Sequence, residues 1–191
     1  MPTSRHMVLI SRSGYTGEDG YEISVANADA EALAETLLAA GAVPAGLGAR
    51  DSLRLEAGLC LHGNDIGPDT NPVEAALMWT IGKRRRMAWD FVGADAVRTM
   101  LENGPPRRRV GFRVNDKAPV RAGTAVVAPD GTPIGTVTSG VPSPTLGVPV
   151  AMGYVQTEHA ADGTQVAFAV RGRLIPGTIV PIPFVPHRYI R

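Results

Sequence analysis

Hydrophobic positions recur at two different spacings along this chain, and the change falls near residue 104. Up to Gly104, alanine and leucine return at helical spacing between short loops. From Arg107 onward, valine, threonine, glycine and proline dominate, in alternating patterns broken by turn dipeptides. The stretch Glu102–Pro106, ENGPP, marks the division, because Asn-Gly ends a helix and the paired prolines cannot continue it.

In the first region Val8 and Ile10 alternate within HMVLIS, as do Tyr21, Ile23 and Val25, which predicts two strands joined through the loop GYTGEDG. Asn27 or Asp29 is placed to cap a helix reaching Ala40, with Leu33 and Leu37 on one face and Gly41 as terminator. Ala49, Leu53 and Ala57 form one stripe of a second short helix, stopped by Gly58. Thr70 or Asn71 before Pro72 reads as the start of a third, with Val73, Ala76, Leu77 and Thr80 inward and Gly82 at its end. A fourth covers Ala94–Glu102. In the second region Val110, Phe112 and Val114 alternate and Pro129-Asp130-Gly131 is a turn. Ile134–Thr138, Val150–Val155, Gln165–Val170 and Ile175–Val180 supply further strands. Strand and helix mix without a βαβ repeat, so the fold class is α+β, and the short strands of the second region predict a barrel or sandwich. The expected division is residues 1–104 and 105–191.

Composition narrows the function classes. With 191 residues, 44% of them hydrophobic, the chain can bury a real core. A formal net charge of +1 gives no electrostatic reason to expect nucleic-acid binding. No apolar run reaches the length of a bilayer span, so no membrane partner is expected. The single cysteine, Cys60, excludes an internal disulfide framework and fits a reducing compartment. The start, MPTSRHMVLISRSG, lacks the long apolar stretch of a signal peptide and reaches a strand almost at once, as an interior segment would.

Several residues invite chemical readings. Glu22 faces away from Tyr21, Ile23 and Val25, either as an exposed strand charge or as a carboxylate accepting two parallel N–H donors from a planar heterocycle. Arg50 and Arg54 share a helix face, where like charges repel by about a few tenths of a kcal/mol. Asp51 can pair with Arg54 structurally, or the two arginines can form an anion site. GYTGEDG is neither a P-loop nor a dinucleotide fingerprint, and its glycines suit a turn whose backbone approaches a flat ligand. Tyr15 would stack on that ligand or shield a hairpin end. Asn64 and Asp65 read as an Asx turn, and Lys83–Arg86 as a basic cap closing a helix, with docking of an acidic partner as the other reading. His6, His62, His159 and His187 show no metal-ligand spacing, so no metal is expected. Cys60 between Leu59 and Leu61 reads as a small core residue.

The segments SRSGYTGEDGYEISV, GLGARDSLRLEAGLCLHGNDI, TNPVEAALMWTIGKRRR, VGFRV, IGTVTSGVPSPTLG, VAMGYV and PFVPHRYIR together resemble the aminomethyltransferase family of the glycine cleavage system, the T-proteins, in the same order along nearly the whole chain. His62 stands where that family has a tyrosine. The resemblance implies a folate-binding α+β region followed by a small antiparallel β-barrel. It implies transfer of an aminomethyl group from the lipoyl arm of the H-protein to tetrahydrofolate, with release of ammonia. By motif position Glu22, Arg50 and Tyr189 resemble the family's folate contacts, Tyr15 is a pocket neighbour, and Arg54 is the weaker of the two arginines. The family's aspartate near the reacting folate nitrogen, carried by its N-terminal portion, has no counterpart here, so no catalytic residue is assigned and little activity is expected from this chain alone. The alternative is a non-catalytic folate-binding or interaction module of the same family. The Ala/Arg/Gly-rich composition leans toward a bacterial cytoplasm, with the mitochondrial matrix as the eukaryotic equivalent.

Overall fold

The computed structural model describes residues 7–190. A two-stranded antiparallel sheet, β1 (Val8–Ser11) and β2 (Glu22–Val25), opens the chain, with Ile10 opposite Ile23 and Ser11 opposite Glu22. His6 of the predicted HMVLIS strand lies outside the described residues. Helix α1 (Ala30–Ala39) follows a single 3-10 turn over Asn27–Asp29, without a side-chain cap from either residue. Helix α2 (Leu47–Glu56) ends where Gly58 adopts a left-handed φ of +70°. Its buried residues are Arg54, Leu55 and Glu56; of the predicted stripe Ala49, Leu53 and Ala57, only Ala57, just past the helix, is buried.

The third predicted helix does not form. Asn71 Oδ1 accepts the Val73 N–H at 3.0 Å and Glu74 Oε1 accepts the Asn71 N–H at 3.1 Å, a capping arrangement that starts one turn. Ala76 then takes a left-handed φ of +55°, and only a short 3-10 turn over Met78–Thr80 follows. The basic run opens a helix, α3 (Lys83–Ala88), rather than closing one, and Arg84 and Arg85 both bind Asp90. Helix α4 (Ala94–Asn103) buries Ala94 and Val97 and ends at Gly104.

The second region is a closed antiparallel barrel of β3 (Arg107–Val114), β4 (Ala125–Val127), β5 (Pro133–Pro142), β6 (Pro149–Gln156), β7 (Gln165–Val170) and β8 (Arg173–Val180), in the order β3-β6-β5-β4-β7-β8 and back to β3. Its interior holds Phe112 and Phe168 in an edge-to-face pair with centroids 5.4 Å apart, with Val126, Val137 and Ile179 around them. Closure brings strands so near that glycine is required where β5 and β6 meet: a Cβ on Gly135 would lie 2.0 Å from the Tyr154 carbonyl oxygen. A second apolar cluster, Leu55, Val141, Val150 and Met152, covers the outside of β5 and β6 beneath α2, with Ile182 and Phe184 packed on it. Strand β6 is therefore buried on both faces, which explains its unbroken apolar run PVAMGYV.

Candidate functional site

After β8 the chain turns back across the first region. Val185 N–H donates to the Glu56 carbonyl at 2.9 Å, Arg188 N–H to the Gly17 carbonyl at 2.8 Å, and the His187 ring to the Ala57 carbonyl at 2.8 Å. This strap, the 57–60 turn after α2, and β3 together enclose a cleft of about 1010 Å³. Tyr15, Cys60, Leu77, Trp79, Arg109, Ile182 and Tyr189 are among its walls.

Of the four candidate site residues read from the sequence, the folate contact Tyr189 and the pocket neighbour Tyr15 both line this cleft. The Tyr15 hydroxyl donates to the Cys60 carbonyl, and burial raises its phenol above the ordinary value, so it acts as a neutral donor. The Tyr189 ring packs on His187 with centroids 5.0 Å apart. Arg50 does not line the cleft; its guanidinium carbon lies 4.8 Å from the centre of the Tyr15 ring, a cation–π contact on that wall. Glu22 stands apart on the exposed β2, accepting a hydrogen bond from Ser13 Oγ at 2.6 Å. The loop between the strands is braced by a two-point Arg12–Asp19 pair at 3.0 Å on each arm. Gly17 in that loop, at φ +78°, lies so close to α2 that a Cβ there would meet Ala57 Cβ at 2.8 Å. The close approach this glycine permits is to helix α2.

The other arginine of the pair is a buried hub. Arg54 Nε donates to Asp51 Oδ1 at 2.8 Å, Nη1 to Asp65 Oδ2 at 2.5 Å and to the Leu59 carbonyl at 3.2 Å, and Nη2 to Ser139 Oγ at 2.8 Å on β5. Burial works against its charge, but Asp65 and Asp51 outweigh it and raise its pKa. Asp65, read from the sequence as an Asx-turn residue, is buried, and also accepts from the Leu61 N–H at 2.8 Å and from the Thr138 hydroxyl. Glu56 accepts from the Ser143 hydroxyl, from Thr145 Oγ1 at 2.7 Å and from Thr145 N–H at 3.1 Å. Glu74 receives Arg107 through two bonds at 2.8 and 3.2 Å, while Arg107 lies over the Tyr154 ring at 4.6 Å.

Sequence reasoning missed Asp65, Glu56, Glu74 and Arg109. Their side-chain partners lie 11 to 89 positions away, and no periodicity signals such pairs. Among the described residues no group of histidine, cysteine, aspartate and glutamate could hold a metal ion, and no helix is long and apolar enough to cross a membrane.

Comparison with known proteins adds an independent line. A family model described as the GCVT N-terminal domain matches residues 2–85, and one described as the glycine cleavage T-protein C-terminal barrel domain matches residues 107–186. The chain is 54% identical over 181 residues to the mitochondrial aminomethyltransferase of Gallus gallus, covering 94% of this chain and 46% of that protein. It is 52% identical over 181 residues to that of Homo sapiens, covering 94% and 45% respectively. Among solved structures it is similar to the glycine cleavage system aminomethyltransferase T of Bartonella henselae, with a TM-score of 0.91 and 50% identity, over 95% of this chain and 51% of that one. The chain spans about half the length of the curated relatives it matches.

Proposed function

Because this chain belongs to the glycine cleavage T-protein family, a family of aminomethyltransferases, we propose that it serves tetrahydrofolate-dependent aminomethyl transfer from the lipoyl arm of the H-protein. In that reaction the carbon exchanges its bonds to sulfur and to the amine nitrogen for bonds to two folate nitrogens. Ammonia and the dihydrolipoyl thiol leave, with no net oxidation. The observation that carries the reading is the convergence of Tyr15 and Tyr189, from opposite ends of the sequence, on one cleft of ligand size, with Arg50 stacked behind Tyr15. Two tyrosine rings suit a flat heterocycle with a polar edge, Arg50 suits an anionic group, and Glu22 suits the paired N–H donors of a pterin. In this reading residues 1–104 supply most of the folate contacts, and residues 105–191 supply the barrel and Tyr189. The site belongs to a bacterial cytoplasm or a mitochondrial matrix, where the H-protein resides.

In this reading the motifs supply these contacts, and none of them supplies an aspartate beside the reacting nitrogen. These 191 residues assayed by themselves are therefore expected to bind reduced folate without turnover, as a folate-binding module, because electrostatic help for the developing cation is missing. Calorimetric titration with a stable reduced folate tests the first half, with weakened binding expected in Glu22→Ala and Arg50→Ala. Ammonia release from aminomethylated H-protein tests the second. Robust turnover would overturn the non-catalytic reading, and unchanged affinity in both variants would overturn the pocket.

A further inference from the structure

Two buried arginines meet opposite treatment in this fold. Arg54, 1% exposed, is held by two carboxylates, Asp51 and Asp65. Arg109, 5% exposed, has no carboxylate within ion-pair distance among the described residues. Its Nε donates to the Ala75 carbonyl at 2.8 Å, and its Nη1 donates to the Gly58 carbonyl at 3.2 Å and to Met152 Sδ at 3.0 Å. These neutral acceptors aim the guanidinium without neutralising it. Both N–H groups of Nη2 find no acceptor among the described residues. A desolvated cation with two unused donors calls for an anionic acceptor.

Arg109 lines the cleft, and so do Cys60, Leu77, Trp79 and Ile182. We infer that the Arg109 end of the cleft is a carboxylate-binding subsite, in which a planar carboxylate of a small ligand accepts the Nη2 hydrogens and supplies the missing counter-charge. One positive charge among apolar walls matches a singly charged group better than a phosphate, whose second charge would stay desolvated and unpaired. The inference stands apart from the folate reading, because any small carboxylate that enters the cleft can satisfy it.

Cys60 is the single cysteine of the chain, so alkylation by neutral iodoacetamide reports on the cleft without modifying another thiol. Burial raises the Cys60 thiol, Asp65 adds to the rise and Arg54 opposes it, and among these charges Arg109 acts most strongly, pulling the thiol back down. A carboxylate seated on Arg109 cancels that pull. Saturating butyrate, singly charged, is expected to slow alkylation about tenfold at fixed pH and to move its pH midpoint upward, since only the thiolate reacts. Butyramide, neutral and of the same shape, is expected to leave both unchanged. In Arg109→Met the butyrate effect is expected to vanish. If that variant does not fold, the contrast between butyrate and butyramide on the unaltered protein decides alone. Equal effects of the two compounds, no effect of either, an effect of inorganic phosphate matching that of butyrate, or a butyrate effect persisting in folded Arg109→Met would each overturn the assignment.

Discussion

Phe112, Phe168 and Ile179 in the barrel are wholly buried, whereas in the first region Leu9 is 72% exposed and Val8, Ile10, Leu37 and Leu38 are exposed too. Both regions are rich in apolar residues, but the first buries only a few, Leu55, Ala57, Val73, Ala75, Ala94 and Val97, while the barrel encloses a full interior. The barrel closes on itself, so alternate positions along its strands share one interior. The first region is anchored to the barrel largely by polar bonds: Arg54 to Ser139, Glu56 to Ser143 and Thr145, and Glu74 to Arg107. The contrast teaches that apolar content does not locate stability. What matters is whether apolar side chains meet each other, and where they do not, satisfied buried charges hold the element in place.

The contrast can be broken at four points of decreasing effect. Phe168→Ala removes half of the aromatic pair at the barrel centre and is expected to cost about 4 kcal/mol in urea unfolding. Arg54→Met is expected to cost about 3 kcal/mol, because it strands Asp65 buried without its counter-charge. Limited proteolysis of that variant should cut within residues 7–60 before the barrel; simultaneous loss of both regions would show that they unfold as one.

The Glu74–Arg107 pair sharpens the comparison through pH. Burial tends to raise the Glu74 carboxyl, but Arg107 and the Asn71 N–H outweigh it and hold it below the usual range. A lowered folded value means the stabilisation is present above the unfolded value of about 4.3 and is lost as pH falls through the folded one. The difference in urea midpoint between the unaltered protein and Glu74→Gln should therefore shrink below about pH 4. A constant difference across that window would argue against the pair. Smallest of all, Leu9→Ser on the exposed β1 should change stability by no more than about 0.5 kcal/mol, although the same change of chemistry inside the barrel would be severe.

What the sequence revealed depended on how local the cause was. Strand β7 falls at the predicted residues, Gln165–Val170, because its alternation and flanking turns lie within a few positions. The helix predicted after Pro72 breaks at Ala76, where the Glu74 and Ala75 carbonyls accept from the Arg109 N–H and Nε of β3, the second bond spanning 34 positions. Two arginines at helical spacing were legible in ARDSLR. That Arg54 is the buried one was not, since Ser139 lies 85 positions further on. Arg109 sits in a run of three arginines, RRR, in which nothing local marks one for burial, and only closure of the barrel against the 58–75 segment buries it.

The strap from Ile182 to Tyr189 has a consequence for how the cleft comes into being. Translation delivers the Tyr15 and Cys60 walls before the barrel and the Tyr189 wall after it. At about 5–20 residues per second the gap is on the order of ten seconds. During that interval the nascent chain carries a half-built cleft, with the Glu56, Ala57 and Gly17 carbonyls still waiting for the N–H donors of Val185, His187 and Arg188. Completion of the cleft thus waits on the barrel, because the strap that closes it must fold back over strands made before it.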